Sequence, residues 1–170
     1  MGMLDMKIRQ AQKSDCTTIA EIKRLIWQST YRGIYPDSKI DGYDIKEQSK
    51  KFEKLIDDKN LLLYVAEDDN NIVAYMCCGK RSREVHGENY EIFLLNVLKE
   101  YQGRGIGTAL FSEGCDILKS IGAKEVLIAC NKYNFPAQQF YESKGCKEFC
   151  VDDDREDKSL PQIYYKFLIG

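Results

Sequence analysis

The stretch Glu100–Leu110, EYQGRGIGTAL, places three glycines at alternate positions, Gly103, Gly105 and Gly107. It lies where a strand-like apolar run gives way to a helix-like one. Glycine has no Cβ, so the backbone of such a loop can approach a ligand closely. The first N–H groups of the following helix have no partner within the helix, and the helix dipole adds positive potential there. The stretch therefore predicts an anion-binding loop at the start of a helix.

Hydrophobic spacing on both sides of this loop predicts a mixed α/β layer fold around one sheet. The predicted order is strand, two helices, three strands, helix, strand, helix and two strands, with the loop inside a strand–helix–strand crossover. The predicted strands are Met6–Gln10, Leu61–Glu67, Ile72–Arg81, Tyr90–Leu98, Lys124–Cys130, Glu148–Val151 and Ile163–Ile169. The predicted helices begin at a Ser14 cap, cover Asp44–Asp57, follow the glycine loop as far as Gly122, and run from Pro136 to Lys144.

The segment between the first two helices, Trp27–Tyr43, contains Gly33, Pro36 and Gly42, a composition typical of a loop. Its four aromatic residues are either core anchors or the lining of a pocket, since large aromatics fill cores as readily as they contact ligands. These residues are Trp27, Tyr31, Tyr35 and Tyr43.

Composition indicates a soluble globular protein. The 170 residues suit one domain, predicted over residues 1–170, and 44% of them are hydrophobic and 31% charged. The formal net charge of -2 favours neither nucleic acid nor a membrane surface as a partner. The N-terminus lacks the apolar core of a signal peptide, and no apolar run approaches the roughly 20 residues of a membrane helix.

The cysteines and the histidine suggest a cytoplasmic protein without a metal centre. Seven cysteines, an odd number that falls mostly in apolar runs, indicate buried thiols in a reducing compartment rather than a disulfide framework. The single histidine, His86, lies in a polar stretch. Nothing near it supports a Ser-His-Asp or Cys-His centre, and no zinc-ligand spacing is present.

Two common nucleotide-binding motifs fail at the glycine loop. A dinucleotide fingerprint requires G-x-G-x-x-G, but the sixth position from Gly103 is Thr108. A nucleoside-triphosphate loop requires Gly-Lys followed by Ser or Thr, which the chain lacks. A pyrophosphate nevertheless fits a glycine loop at a helix N-terminus without any lysine.

Two motifs, in order and at the expected spacing, resemble those of the GNAT superfamily of acyl-CoA-dependent acyltransferases. The run VLKEYQGRGIGTAL resembles the family's Gln/Arg-x-x-Gly-x-Gly/Ala, met by Gln102, Gly105 and Gly107. The run ACNKYNFPAQQFYESKGC resembles Asn-x-x-Ala-x-x-Phe-Tyr-x-x-x-Gly-Phe, with Cys146 in place of the final Phe. The matching residues of this second motif are Asn134, Ala137, Phe140, Tyr141 and Gly145. The resemblance extends over nearly the whole chain from Met6.

The resemblance implies the GNAT fold, with a central, mostly antiparallel mixed sheet of about seven strands flanked by four helices. One splayed strand pair is expected to hold acetyl-CoA, whose acetyl group passes directly to an amine without a metal. The residues implied to bind the cofactor are Asn96, Val97, Leu98, Gln102, Gly103, Arg104, Gly105, Ile106, Gly107, Thr108, Asn134 and Tyr141. Asn134 is also suited to cap a helix, and Arg104 has the alternative of a solvated side chain.

The same resemblance implies catalytic roles. Tyr141 is expected to protonate the departing thiolate, because a phenol with a pKa of about 10 is protonated at neutral pH. Glu91 is the candidate base; the alternatives are that it is only the polar start of a strand and that ordered water takes the proton. Strand alternation is expected to place Glu91, Phe93, Leu95 and Val97 on one face. A backbone N–H near Val97 is expected to hold the oxyanion.

The acceptor is the least determined part. The acidic run Asp152–Asp157 and the aromatic segment Trp27–Tyr43 flank the acceptor mouth in the family, which suggests a cationic amine. A polyamine, an aminoglycoside-type amine, an amino acid, a protein N-terminus and a lysine all fit. The alternatives to an enzyme are a non-catalytic acyl-CoA-binding sensor of the same fold and a nucleotide-binding regulator. Family members are often dimers, which leaves a homodimer open.

Overall fold

The computed structural model describes residues 5–85, 88–152 and 161–170, which form seven strands and five α-helices. The strands are β1 (Met6–Gln10), β2 (Leu61–Asp68), β3 (Asn71–Val85), β4 (Glu88–Val97), β5 (Glu125–Asn131), β6 (Lys147–Asp152) and β7 (Gln162–Leu168). The helices are α1 (Cys16–Ile26), α2 (Asp37–Asp41), α3 (Ile45–Asp57), α4 (Ile106–Ser120) and α5 (Phe135–Ser143). The seven predicted strands and four predicted helices are confirmed, with ends shifted by a few residues.

One sheet carries the strands in the order β1-β2-β3-β4-β5-β7-β6. Neighbouring strands pair antiparallel except β4 and β5, which pair parallel. A parallel pair needs a crossover connection, and the glycine loop with α4 provides it, as the sequence predicts. The sheet is therefore mixed and mostly antiparallel, as the resemblance implies.

Helices cover both faces of the sheet. Helices α1 and α3 pack on one face in a cluster that includes Ile19, Phe52 and Tyr75. Helices α4 and α5 pack on the other face in a cluster that includes Leu110 and Tyr141. Each fully buried side chain of this size contributes roughly 1.5–3 kcal/mol relative to an exposed one, so these two layers fix the positions of the helices against the sheet.

The segment predicted as a loop between α1 and α3 is partly helical, and it supplies a short helix beyond the four expected. Residues Trp27–Tyr31 continue α1 as one π-helical turn. In α2, the side chain of Ile40 reaches the core at 2% exposure. Arg32 forms ion pairs with Asp37 and Asp41 at 3.1 and 2.8 Å. Tertiary contacts stabilise this short helix. Its five residues are too few to show a helical periodicity in the sequence.

A bulge interrupts β4 at Phe93. Two adjacent residues of β3 pair with Ile92 and Leu94, so Phe93 is one extra residue relative to β3. Phe93 and Leu94 consequently pack on the same side of the sheet, against α1 and α3. A bulge bends its strand and increases the local twist. This one lies directly after the last residue of β4 that pairs with β5.

The bulge overturns one prediction about the faces of β4. Ile92, Leu95 and Val97 pack in the cluster with α4. Because Glu91 precedes Ile92, strand alternation turns its side chain to the opposite face. The expectation that Glu91 and Phe93 share a face with Leu95 and Val97 was therefore wrong, since a strict period of two fails across a bulge.

Strands β4 and β5 part after a short contact. Residues 91 and 92 pair with residues 127 and 128, and the described residues show no further pairing between these strands. Beyond this point the end of β4 pairs with β3, and β5 pairs with β7. A V-shaped gap therefore opens between the strands at the end where α4 begins, which is the splayed pair that the resemblance implies.

Replacing Gly79 with alanine should destabilise the fold. A Cβ at Gly79 would overlap the Asn60 carbonyl oxygen and lie 2.9 Å from the Cα of Leu61. Both are backbone atoms at the start of the neighbouring strand β2. We expect Gly79→Ala to lower the free energy of unfolding by about 1–3 kcal/mol, measured by urea denaturation.

Gly114→Ala is the matched control. A Cβ there would lie 2.9 Å from the Cδ1 of Ile92, a side-chain end that can rotate, and alanine in a helix gains about 1 kcal/mol over glycine. Its loss should be smaller than that of Gly79→Ala; an equal or larger loss would contradict this account of the sheet.

Candidate active site

The end of β4 and the segment that follows β5 border a cleft of about 590 Å³, a usual size for a small-molecule site. Four segments line it: the end of α1 with the turn after it, the end of β4, the glycine loop with the start of α4, and the segment from Tyr133 through α5 to Tyr141. The lining residues are Ile26, Ser29, Thr30, Tyr31, Ile34, Leu95, Asn96, Val97, Lys99, Gln102, Gly103, Gly105, Gly107, Thr108, Tyr133, Asn134, Pro136, Ala137, Phe140 and Tyr141. Nine of the twelve residues expected to bind a cofactor are among them.

The glycine loop has a backbone conformation that favours glycine. Gly103 and Gly105 have φ angles of 73° and 86°, in the left-handed region. Gly105 is the N-cap of α4, so the N–H groups of the first helical turn follow it directly at the wall of the cleft. The Gln102 Nε2 donates to the Val97 carbonyl at 3.1 Å and ties the loop to the end of β4. The helix N-terminus predicted to bind an anion therefore faces the cleft.

The main chain of Val97 also faces the cleft. The N–H of Leu98 donates to the carbonyl of Val73 in β3 at 3.0 Å. Main-chain groups of successive strand residues point to opposite edges, so the N–H and C=O of Val97 point away from β3 and into the gap. The hydrogen bond from Gln102 to the Val97 carbonyl agrees with this direction. The N–H of Val97 is thus a donor that a ligand in the cleft can reach.

Asn134 joins two walls of the cleft. Its Oδ1 accepts from the N–H of Ala137 at 3.3 Å, which caps α5 as the sequence predicts. Its Nδ2 donates to the hydroxyl of Tyr31 at 3.3 Å, across 103 positions of sequence. The start of α5 is therefore connected directly to the turn after α1.

Tyr141 lies at the wall of the cleft with 5% of its surface exposed. Its ring contacts those of Phe140 and Phe111, with centroids 5.3 and 6.3 Å away. Burial raises the pKa of Tyr141 far above its ordinary value, because the low-dielectric surroundings disfavour the phenolate. The hydroxyl therefore keeps its proton at neutral and mildly alkaline pH and can act as a donor.

Four predicted site residues lie outside the lining of the cleft. Glu91 is 7% exposed and sits at the closed end of the gap, where β4 and β5 still pair. Ile106 is 1% exposed, so its side chain belongs to the core. Leu98 also packs against the core, and its N–H donates to the carbonyl of Val73 in β3. The guanidinium of Arg104 lies over the ring of Tyr101, 4.9 Å from the ring centroid.

One of the four aromatic residues lines the cleft, and the other three form a half-buried aromatic cluster beside it that belongs to neither core cluster. The Trp27 ring packs edge-on against Tyr35 and Tyr43, with centroids 5.2 and 5.3 Å away. Tyr31 lines the cleft and stacks on Tyr35 at 4.3 Å. The sequence thus predicted aromatic neighbours of the site without separating Tyr31 from the others. Only the tertiary contact with Asn134 distinguishes it.

Charge is scarce in the cleft. Among the described lining residues, Lys99 is the one charged side chain. Of the acidic run expected to attract a cationic acceptor, residues 153–157 lie outside the described residues, as does His86. Within the described ranges, no cluster of three or more His, Cys, Asp or Glu residues is suited to a metal ion. The same ranges contain no helix with the length and hydropathy of a membrane span.

Known proteins similar to this chain are acetyltransferases. The model of the acetyltransferase (GNAT) family matches residues 19–146. A spermidine N(1)-acetyltransferase of Thermoplasma acidophilum is 26% identical over 168 residues, covering 95% of this chain and 99% of that protein. N-alpha-acetyltransferase 30 of Schizosaccharomyces pombe is 33% identical over 90 residues, covering 51% of this chain and 56% of that protein. The fold matches a crystal structure of the PaiA N-acetyltransferase of Thermoplasma acidophilum in complex with coenzyme A. The two structures match with a TM-score of 0.77 at 21% sequence identity, and the match covers 97% of this chain and 99% of that one.

Substitution in the glycine loop should separate folding from cofactor binding. Gly105→Ala and Gly122→Ala both place alanine at a left-handed φ, 86° and 99°, with no other atom near the new Cβ. Each should destabilise the fold by about 1–2 kcal/mol. Only Gly105 lies at the cleft, so Gly105→Ala should raise the Kd for coenzyme A about tenfold as the first turn of α4 shifts.

Isothermal titration calorimetry with coenzyme A measures this difference. Gly122 follows the C-terminal end of α4, so Gly122→Ala is the control. Its Kd for coenzyme A should match that of the unsubstituted protein. Equal coenzyme A affinities for the two variants would show that the loop does not hold the cofactor.

Proposed function

The chain belongs to the acetyltransferase (GNAT) family, and we propose that it transfers the acetyl group of acetyl-CoA to a primary amine. The amine of a small molecule or a protein attacks the thioester directly, with both substrates bound together. The observation that carries the proposal is the gap between β4 and β5, which opens beside the N-terminus of α4 and has Tyr141 on its wall.

Acetyl-CoA is the donor substrate, and the residues at the cleft suit its two polar regions. The N–H groups at the start of α4, behind Gly103 and Gly105, would bind the pyrophosphate, supported by the helix dipole. The main chain of Val97 and the side chain of Asn134 would hydrogen-bond the amide groups of the pantetheine arm between the strands. Lys99 adds a positive charge at the lining near the loop.

The N–H of Val97 is the proposed oxyanion donor. Attack of an amine on the thioester converts its carbonyl oxygen to an oxyanion, which needs a donor already in position. The strand geometry directs this N–H into the gap, while the carbonyl of Val97 is held by Gln102. A rigid sheet residue therefore stabilises the charge without reorganising.

The amine must lose a proton before or during attack. The conjugate acid of an alkyl amine has a pKa of about 10, so roughly one amine molecule in a thousand is neutral near pH 7. No carboxylate or histidine is among the described lining residues, and Glu91 lies on the other side of β4 from Leu95 and Val97. We propose that water in the cleft takes the proton, rather than Glu91 by direct contact.

Tyr141 is the proposed acid. The departing thiolate of coenzyme A needs a proton, and the buried hydroxyl of Tyr141 retains one over the working pH range. Relatives support an amine as the acceptor, because one is a spermidine N(1)-acetyltransferase and another is N-alpha-acetyltransferase 30.

A panel of amines tests the proposed function. The protein is incubated with acetyl-CoA and spermidine, an amino-acid amide, a short peptide with a free N-terminus, or lysine, and acetylated products are identified by mass spectrometry. At least one amine should be acetylated, with one coenzyme A released for each product. Tight coenzyme A binding without turnover of any amine would instead favour a non-catalytic sensor.

Tyr141→Phe should lower kcat about 100-fold and leave the Kd of coenzyme A unchanged, since the proton is needed only in the chemical step. Between pH 7 and 9, kcat/KM of the unsubstituted enzyme should rise as the amine deprotonates. No alkaline fall is expected there, because the raised pKa of Tyr141 keeps the acid protonated.

Tyr165→Phe is the control for this substitution. Tyr165 is a buried tyrosine whose ring lies 6.1 Å from that of Tyr141, and its hydroxyl donates to Glu142 outside the cleft lining. It should keep kcat within a few-fold of the unsubstituted enzyme. If Tyr141→Phe behaves like Tyr165→Phe, another group supplies the proton.

A further inference from the structure

Asn96 carries a polar side chain between two apolar residues, Leu95 and Val97, at the end of β4. Those two residues pack in the cluster with α4, so strand alternation turns the side chain of Asn96 to the face covered by α1. Its hydrogen bond agrees with this direction, because its Nδ2 donates at 3.0 Å to the hydroxyl of Tyr75, which packs in the cluster with α1. Asn96 also lines the cleft. Its side chain therefore lies on the side of the gap that faces away from α4.

Tyr75 holds this amide in place. It is fully buried in β3, directly opposite Asn96 in the strand pairing. Its ring packs edge-on against that of Phe52, with centroids 5.4 Å apart. Burial raises the pKa of Tyr75 well above its ordinary value, so its hydroxyl stays uncharged at neutral and mildly alkaline pH. The amide of Asn96 is thus anchored by a rigid, neutral partner.

The bond to Tyr75 uses the nitrogen of the Asn96 amide and leaves its oxygen. Among the described residues, the Oδ1 of Asn96 has no hydrogen-bond partner, and it is not one of the buried polar atoms that lack one. The Oδ1 is therefore accessible, and the space that Asn96 borders is the cleft. An amide oxygen accepts hydrogen bonds and donates none. The side chain thus offers the cleft an uncharged acceptor.

The backbone keeps this acceptor close to the reacting carbonyl. The N–H of Val97, the proposed oxyanion donor, belongs to the peptide group that joins Asn96 to Val97. A thioester oxygen bound to that N–H, about 2.9 Å from the nitrogen, lies close to the Cα of Asn96. An asparagine side chain is short, so the Oδ1 of Asn96 is confined to the surroundings of the same carbonyl.

Two sides of the thioester are already occupied in the proposed reaction. Its sulfur lies beside Tyr141 on the face with α4 and α5, and its oxygen lies at the N–H of Val97. The attacking nitrogen is left the side toward α1, where the side chain of Asn96 lies. A neutral primary amine directs its lone pair at the thioester carbon and has two N–H groups. One proton goes to water, and the N–H that is retained needs an acceptor.

We propose that the Oδ1 of Asn96 accepts a hydrogen bond from the attacking amine, through the N–H that the product amide retains. The nitrogen becomes positive as its lone pair forms the bond to the carbonyl carbon, so this hydrogen bond strengthens toward the transition state. Water then removes the other N–H proton, the carbon–sulfur bond breaks, and the departing thiolate takes the proton of Tyr141.

Asn96 consequently orients the nucleophile and selects for a primary amine. An N-methyl amine has a single N–H, which goes to water, and its methyl group or its chain must face the Oδ1 of Asn96. A secondary amine therefore gains nothing from this acceptor. The inference rests on the proposed function, because it assigns a contact in the same reaction.

The test compares a primary amine with its N-methyl derivative. The primary amine is the member of the panel above with the highest kcat/KM, and the derivative is methylated at the nitrogen that is acetylated. Asn96→Leu keeps the side-chain volume and removes the acceptor. It should lower kcat/KM for the primary amine roughly 10- to 100-fold, as expected for a hydrogen bond to a charged group, and change that of the N-methyl amine by less than about threefold. The Kd of coenzyme A should not change.

A second variant keeps the test decisive if the N-methyl amine is not turned over. Asn96→Asp retains an oxygen acceptor, and the hydroxyl of Tyr75 can donate to its other oxygen. Its kcat/KM for the primary amine should exceed that of Asn96→Leu by about tenfold or more. Asn71→Leu is the matched control, because it makes the same change at the exposed start of β3, where the side chain donates to the carbonyl of Asp69. It should leave both amines unaffected.

The outcomes separate the two proposals. Equal losses for the two amines in Asn96→Leu, or a loss below about threefold for the primary amine, would overturn the role of Asn96 and leave the acetyltransferase proposal standing. Equal activities of Asn96→Asp and Asn96→Leu would also overturn it. If the unsubstituted protein acetylates no amine of the panel, the proposed function fails, and the role of Asn96 falls with it.

Discussion

The separation of β4 from β5 is the constraint on which the rest of the site depends. A strand edge inside a protein leaves main-chain donors and acceptors that must be satisfied by a partner or by water. Here the Val97 carbonyl is satisfied by Gln102, while the adjacent N–H is turned to the gap. The bulge at Phe93 bends β4 directly after its last pair with β5. The exposed strand edge is thus part of the wall of the cleft, and α1, α4 and α5 complete it.

The glycines of this loop are needed for their backbone conformation rather than to leave space for a neighbouring atom. A Cβ at Gly103 or Gly105 would meet no other atom within 4 Å, yet both residues have left-handed φ angles. The conformation brings the chain from β4 into α4 with the helix N-terminus at the cleft. Asn134 completes the arrangement from α5, because it caps that helix and also bonds to Tyr31. One side chain therefore links α5 to the turn after α1 across the cleft.

Most of the fold was predictable because its elements have strong local signals. Strand alternation, glycine at helix ends, and the spacing of apolar residues located all seven strands and the four longer helices. The short helix α2 was missed because Ile40 and the ion pairs of Arg32 stabilise it through tertiary contacts. The face of Glu91 was missed because an extra residue in β4 cannot be seen in a pattern of period two. Tyr31 was predicted only as one of four aromatics, since its partner Asn134 is 103 positions away.

The central claim is that the gap between β4 and β5 holds the acetyl donor. A crystal structure of the protein with coenzyme A tests it most directly. The account predicts the pyrophosphate within hydrogen-bonding distance of the N–H groups between Gly103 and Thr108, and the pantetheine arm between the two strands with its thiol near Tyr141. Coenzyme A bound outside the gap, or a pyrophosphate far from the start of α4, would contradict it.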